Sequence, residues 1–202
     1  MTAFNDDPAA ASVVAALEDD PFYRSISAGF EADAARRRDI LARYFTYSIQ
    51  EAYAHGRCVR APDPSTGIAA WLLPLTEELR RRVAADKRAF LQQHLSATGN
   101  SNYHSILEFM SAKSAPLVSA NAWYLSIIAV APEAQGHGLG QLLLAPTLAE
   151  ADASGAATYL ETFTLRNLSF YQRLGFSPVA TFHEPTVNRS YHLLIRKPEL
   201  GR

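Results

Sequence analysis

Three alternate glycines between two apolar segments constrain this chain more than any other feature. Trp123-Tyr124-Leu125-Ser126-Ile127-Ile128-Ala129-Val130 is an apolar run that predicts a strand. Leu139, Leu142, Leu143, Leu144 and Leu148 follow at helical spacing. Gly136, Gly138 and Gly140 therefore fall in a strand-to-helix turn, where the missing Cβ atoms let the backbone curl tightly and approach a ligand. Such a turn aims several unpaired N–H groups at one point, and the helix dipole adds partial positive charge there. The product is an anion cradle suited to a pyrophosphate.

The spacing removes two common phosphate loops. A Walker loop requires a lysine and a hydroxyl after its last glycine, and neither follows Gly140. A dinucleotide fingerprint places its third glycine one position later than Gly140. Gln135-Gly136-His137-Gly138-Leu139-Gly140 instead resembles the Gln/Arg-x-x-Gly-x-Gly/Ala loop of the GNAT superfamily of acyl-CoA-dependent N-acyltransferases. A glycine-rich turn alone often serves only structure, so a second block matters. Residues 159–176 resemble the downstream GNAT motif: a strand, Asn167, a short helix with Tyr171, then Leu174-Gly175-Phe176 opening the next strand. Within the superfamily, Ala122 to Leu125, Leu142 to Pro146 and Leu160 to Tyr171 resemble puromycin N-acetyltransferase and its bacterial relatives. Pro146 within a helix removes one hydrogen bond and is expected to kink the axis.

This resemblance implies an α/β fold: a mixed, mostly antiparallel sheet with a central parallel, splayed strand pair and helices on both faces. The first strand is short or missing, because only residues 2–5 remain for it. Residues 1–202 form a single domain, with 1–121 on the acceptor side and 122–198 as the acetyl-CoA-binding and catalytic half. The implied cosubstrate is acetyl-CoA. Ala129 and Val130 would pair with the pantetheine arm; Gln135, Gly136, His137, Gly138, Leu139 and Gly140 would hold the pyrophosphate. Asn167 is a helix cap or a pantetheine partner, and Tyr171 touches the cofactor and donates a proton to the leaving thiolate. His137 reads as a solvated loop side chain rather than a base.

An alkyl ammonium has a pKa of about 10.4 and must lose a proton before it attacks. Glu161 is the first candidate base and Glu108 the second, with Glu108 also placed on the acceptor side. Phe22, Tyr23 and Tyr103 are candidates for the acceptor pocket, while Trp71, Trp123 and Tyr124 read as core. The expected activity is transfer of an acetyl group to an amine of a small molecule in a ternary complex, and the resemblance implies an antibiotic-like acceptor. Acetylation of protein or peptide amines, or a CoA-binding sensor without turnover, are the rival readings.

Bulk properties narrow the partners. A 48% hydrophobic content over 202 residues suffices for one sizeable core. A net charge of −1 offers nothing to nucleic acid or an anionic membrane. The histidines and Cys58 show no metal-ligand spacing, so no metal is expected. The single cysteine, the acidic start and the lack of a long apolar run fit a cytoplasmic protein, monomeric or homodimeric. Helices are expected over 9–17, 31–55, 75–95, 106–110, 138–153 and 167–174. Residues 57–73 read as a hairpin, 96–102 as a loop, and 158–163, 176–182 and 190–196 as strands. His55-Gly56 reads as a helix end with the usual glycine stop.

Overall fold

The computed structural model describes residues 9–199; residues 2–5, where a first edge strand was expected, lie outside them. Helix α1 (Ala10–Leu17) is followed at once by α2 (Pro21–Ile26). The Asp20-Pro21 pair, which reads as the stop of α1, also starts α2: the Asp20 carboxylate accepts from the Phe22 N–H at 2.9 Å, with Pro21 in the first turn. Helix α3 (Ala34–His55) buries Leu41, Tyr44, Phe45, Ile49 and Ala52, the face its periodicity predicts. Gly56 ends it in extended backbone, at φ −154, rather than in the left-handed stop expected. Glycine is required there because a Cβ would lie 1.8 Å from the Trp71 carbonyl oxygen.

Strands β1 (Gly56–Arg60) and β2 (Gly67–Leu72) form the hairpin, and α4 (Glu77–His94) follows with Thr76 as its cap. Residues 96–102 are not a loop. They open α5 (Ala97–Ser114), whose cap is Ser96, accepting from the Gly99 N–H at 2.9 Å. Their polar, glycine-containing composition serves docking: a Cβ on Gly99 would meet the Ile26 carbonyl at 2.2 Å, and Asn102 donates to the Ser25 carbonyl at 2.9 Å. Contact with α2 thus overrides weak local propensity.

The remaining elements are β3 (Trp123–Val130), α6 (Leu139–Ser154), β4 (Thr158–Thr162), α7 (Leu168–Arg173), β5 (Ser177–Glu184) and β6 (Arg189–Arg196). The six strands form one sheet in the order β1-β2-β3-β4-β6-β5. Every neighbouring pair is antiparallel except β3–β4, which is parallel. Helices α1 and α3 pack on one face over Ile127 and Ala129, while α6 and α7 pack on the other over Leu125 and Leu160. Ile106 and Met110 of α5 form a third cluster with Tyr191 of β6.

Two irregularities shape the middle of the sheet. β3 and β4 are paired only at Trp123–Thr158 and Tyr124–Tyr159, and then part. On the other edge of β3, Ala70 pairs with Ile127 but Trp71 with Leu125, so Ser126 is an extra residue. Such a bulge bends its strand, and this one falls where β3 leaves β4. It also reverses the alternation, so Leu125 packs toward α6 while Ile127 packs toward α3. The splayed parallel pair is therefore present, with helices on both faces.

Candidate active site

The parting of β3 from β4 opens a cleft of about 550 Å³, bordered by the end of β3, the glycine turn and α7. Ala129 and Val130 pair with Ile68 and Gly67 of β2; beyond Tyr124 the edge facing β4 has no strand partner among the described residues. A short helical turn, Pro132–Ala134, leads into the glycines, and the Gln135 amide donates to the Val130 carbonyl at 3.0 Å. Gly136 and Gly138 have φ of +82 and +78, a conformation that a side chain disfavours. Gly138 caps α6, whose first N–H groups have no preceding carbonyl within the helix. Gly140 is needed for another reason: a Cβ there would lie 3.0 Å from the Phe170 ring, so it lets α7 pack close. Gln135, Gly136, Gly138, Leu139 and Gly140 line this cleft; the exposed His137 does not. Arg166 and Arg173 do, and were not singled out from sequence. These cations, the left-handed glycines and the open helix N-terminus fit a polyphosphate.

A second cavity, of about 190 Å³, lies between α2, α4, α5 and the parting strands. Phe22, Tyr23 and Tyr103 all line it, and their rings touch: Phe22 lies 5.1 Å from Tyr23 and 6.0 Å from Tyr103 between centroids. Tyr124, read from sequence as core, also lines it. Glu108 is exposed and lines neither cavity. Tyr103, Leu107 and Met110 point inward at helical spacing and leave Glu108 on the outer face of α5. The two cavities share Leu17, Ile128, Asn167 and Tyr171, so they meet at the start of α7.

Helix α7 is held firmly at that junction. Buried Arg196 of β6 makes two bonds to Asp152 of α6, at 2.6 and 2.8 Å, and donates to the Leu174 carbonyl at 3.0 Å. Tyr171 is buried against Phe170 and Phe176. Asn167 precedes α7 but makes no side-chain capping bond, which leaves its amide available to the cleft.

The charged groups are displaced from their ordinary behaviour. Glu161 on β4 has one buried carboxylate oxygen with no hydrogen-bond partner, and burial raises its pKa from 4.5 to about 7. The Tyr171 phenol is pushed up by burial and then by Asp20, so it holds its proton. Asp20, which sequence reasoning did not place here, lines the second cavity, and its burial outweighs hydrogen bonds from the Phe22 and Tyr23 backbones and Thr164 in raising its carboxyl. Lys87 lines the cavity from α4. Its signal was available: with Phe90 and Leu91, the buried residues of α4, it follows i, i+3, i+4 spacing. Among the described residues there is no cluster of three or more metal-capable side chains and no helix long and apolar enough to cross a membrane.

Comparison with known proteins agrees with this geometry. Residues 101–178 match the family described as acetyltransferase (GNAT) domain. A structure of a histone acetyltransferase and related acetyltransferase from Corynebacterium glutamicum superposes with a TM-score of 0.62 at 23% identity, covering 100% of this chain and 95% of that one. The polyamine N-acetyltransferase of Drosophila melanogaster gives 0.60 at 15% identity, covering 96% of both chains. A mosquito arylalkylamine N-acetyltransferase gives 0.55 at 16%, covering 94% of this chain and 93% of that one. At these identities the structures establish the fold, and the finer kinship with puromycin N-acetyltransferases gains no support from them. The chain has the GNAT fold, and its residues 101–178 are similar to a GNAT acetyltransferase domain.

Proposed function

We propose that this protein transfers the acetyl group of acetyl-CoA to the amine of a small molecule, with both substrates bound together. The observation that carries this reading is the junction of the two cavities at Tyr171 and Asn167, one walled by an anion cradle and the other by aromatic rings. Gly136 to Gly140, with Arg166 and Arg173, would hold the pyrophosphate, and the open edge of β3 near Ala129 and Val130 would pair with the pantetheine arm. The Asn167 amide would bond the same arm. These contacts fix the thioester beside the amine, so orientation supplies part of the rate.

Glu161 takes the proton of the ammonium; a carboxyl titrating at about 7 can do so at neutral pH without being permanently protonated. The free amine attacks the thioester carbonyl, the new C–N bond forms as the C–S bond breaks, Tyr171 donates its proton to the departing thiolate, and the surplus proton on the new amide nitrogen restores the Tyr171 phenol. The phenol is well suited to that role because burial keeps it protonated. A cavity of this size, walled by aromatic rings, favours a small amine over a lysine side chain presented on a protein surface. A thiol-release assay over a panel of small amines and a lysine-containing peptide tests this directly. Acetyl-CoA binding without thiol release above background hydrolysis for any amine would make the protein a sensor, and turnover of the peptide alone would refute the small-molecule reading.

A further inference from the structure

The second cavity is lined by ionisable groups from separate parts of the chain: Asp20 before α2, Lys87 on α4 and Glu161 on β4. Tyr23, Tyr44, Tyr103 and Tyr124 share its wall. The Lys87 side chain is only 16% exposed, and its ammonium is bonded to Glu51 at 2.6 Å. It also lies 5.7 Å from the centroids of both Tyr44 and Tyr47. Lys87 lines the cavity and Glu51 does not. An ammonium has three N–H donors and no acceptor. One donor is satisfied by Glu51, and the others have no hydrogen-bond partner among the described residues.

Resting on the reading that this cavity takes the acceptor, we propose that the acceptor is a monoamine with an apolar or aromatic body, whose far end presents a carboxylate or carbonyl oxygen to Lys87. Such an oxygen satisfies donors that are otherwise left unmatched in a desolvated wall, where an unmade hydrogen bond is costly. A second ammonium at the same place meets like charge and offers no acceptor to the Lys87 donors. Diamines are therefore poor ligands here, although a fold neighbour is a polyamine N-acetyltransferase.

Three matched amines separate these cases: benzylamine, para-aminomethylbenzoate and para-xylylenediamine, which differ only at the end opposite the amine. Calorimetry on the full chain is expected to rank the benzoate tightest, by about tenfold over benzylamine, the scale of one charge-assisted hydrogen bond, and the diamine weakest. Lys87→Met should erase the benzoate's advantage and lift the penalty on the diamine, with retained acetyl-CoA affinity reporting an intact fold. Glu51→Gln, which leaves the ammonium unopposed, should widen both differences and gives an independent arm if Lys87→Met does not fold. Equal affinities, a diamine that binds best, or no binding of any of the three would overturn the proposal. Thiol release measured in parallel keeps the two readings apart. Ranked binding without release would refute acetyl transfer alone, and release without ranking would refute the Lys87 assignment alone.

Discussion

Replacing Glu161 with glutamine should make the protein more stable and less active, and both effects should depend on pH in a defined way. Burial raises this carboxyl from 4.5 to about 7, because ionisation there leaves a charge without a hydrogen-bond partner on one oxygen. At 1.36 kcal/mol per unit, the displacement is worth at most about 3 kcal/mol between the two protonation states. The sign follows from linkage: a folded-state pKa above the unfolded one gives stability that is present below 4.5 and lost as pH rises through 7. At about pH 8 the wild type therefore carries nearly the whole penalty, and at about pH 4 almost none. Glutamine keeps the shape and never ionises. The difference in melting temperature between Glu161→Gln and wild type should thus grow from near zero at acid pH to roughly 6–12 °C at about pH 8, for a chain of this length. In the thiol-release assay, wild-type kcat/KM should rise with pH through about 7, and the variant should lose that limb together with about 10²–10⁴-fold in rate. A stability difference that does not change with pH would show that the carboxyl is not desolvated. A retained pH limb would place the base elsewhere.

Tyr171→Phe should lower kcat by about 10²–10⁴-fold while leaving acetyl-CoA affinity nearly unchanged, since the hydroxyl is needed as sulfur departs; steady-state kinetics with a direct binding measurement checks this, and full kcat in the variant would reduce Tyr171 to packing. Gly138→Val should weaken acetyl-CoA binding in calorimetry for two reasons. Its Cβ would enter the open space beside the turn that we assign to the pyrophosphate, and valine at φ +78 costs at least about 1–2 kcal/mol of strain. An unchanged acetyl-CoA affinity would remove the cradle from the mechanism.

Much of residues 123–176 is legible in the residue order because its signals are local. A strand, a glycine turn and a helix follow one another within residues 123–154, and the left-handed Gly136 and Gly138 act on their own backbone. Asn167 and Tyr171 are read in the same way, from a motif in which every member is a near neighbour in sequence. The helix face of Leu41, Tyr44, Phe45, Ile49 and Ala52 is equally local, being set by a period of 3.6.

What escaped the sequence depends on contacts between distant segments. Ser96 to Asn102 look like a loop until α2 supplies partners for Gly99 and Asn102. Gly56 looks like a left-handed stop until the Trp71 carbonyl, from the next strand of the hairpin, accounts for the missing Cβ. Glu161 and Glu108 are equivalent carboxylates in a sequence; burial beside the splayed strands separates them, raising one into the neutral range and leaving the other in solvent. Lys87, Asp20 and Tyr124 are brought to one cavity by three different elements or connections, with Asp20 and Tyr124 separated by 104 positions in sequence. Local periodicity and turn chemistry therefore determined most of the elements and the glycine turn. Only tertiary packing decided which charges lose water, and the desolvation of those charges makes a pocket chemically selective.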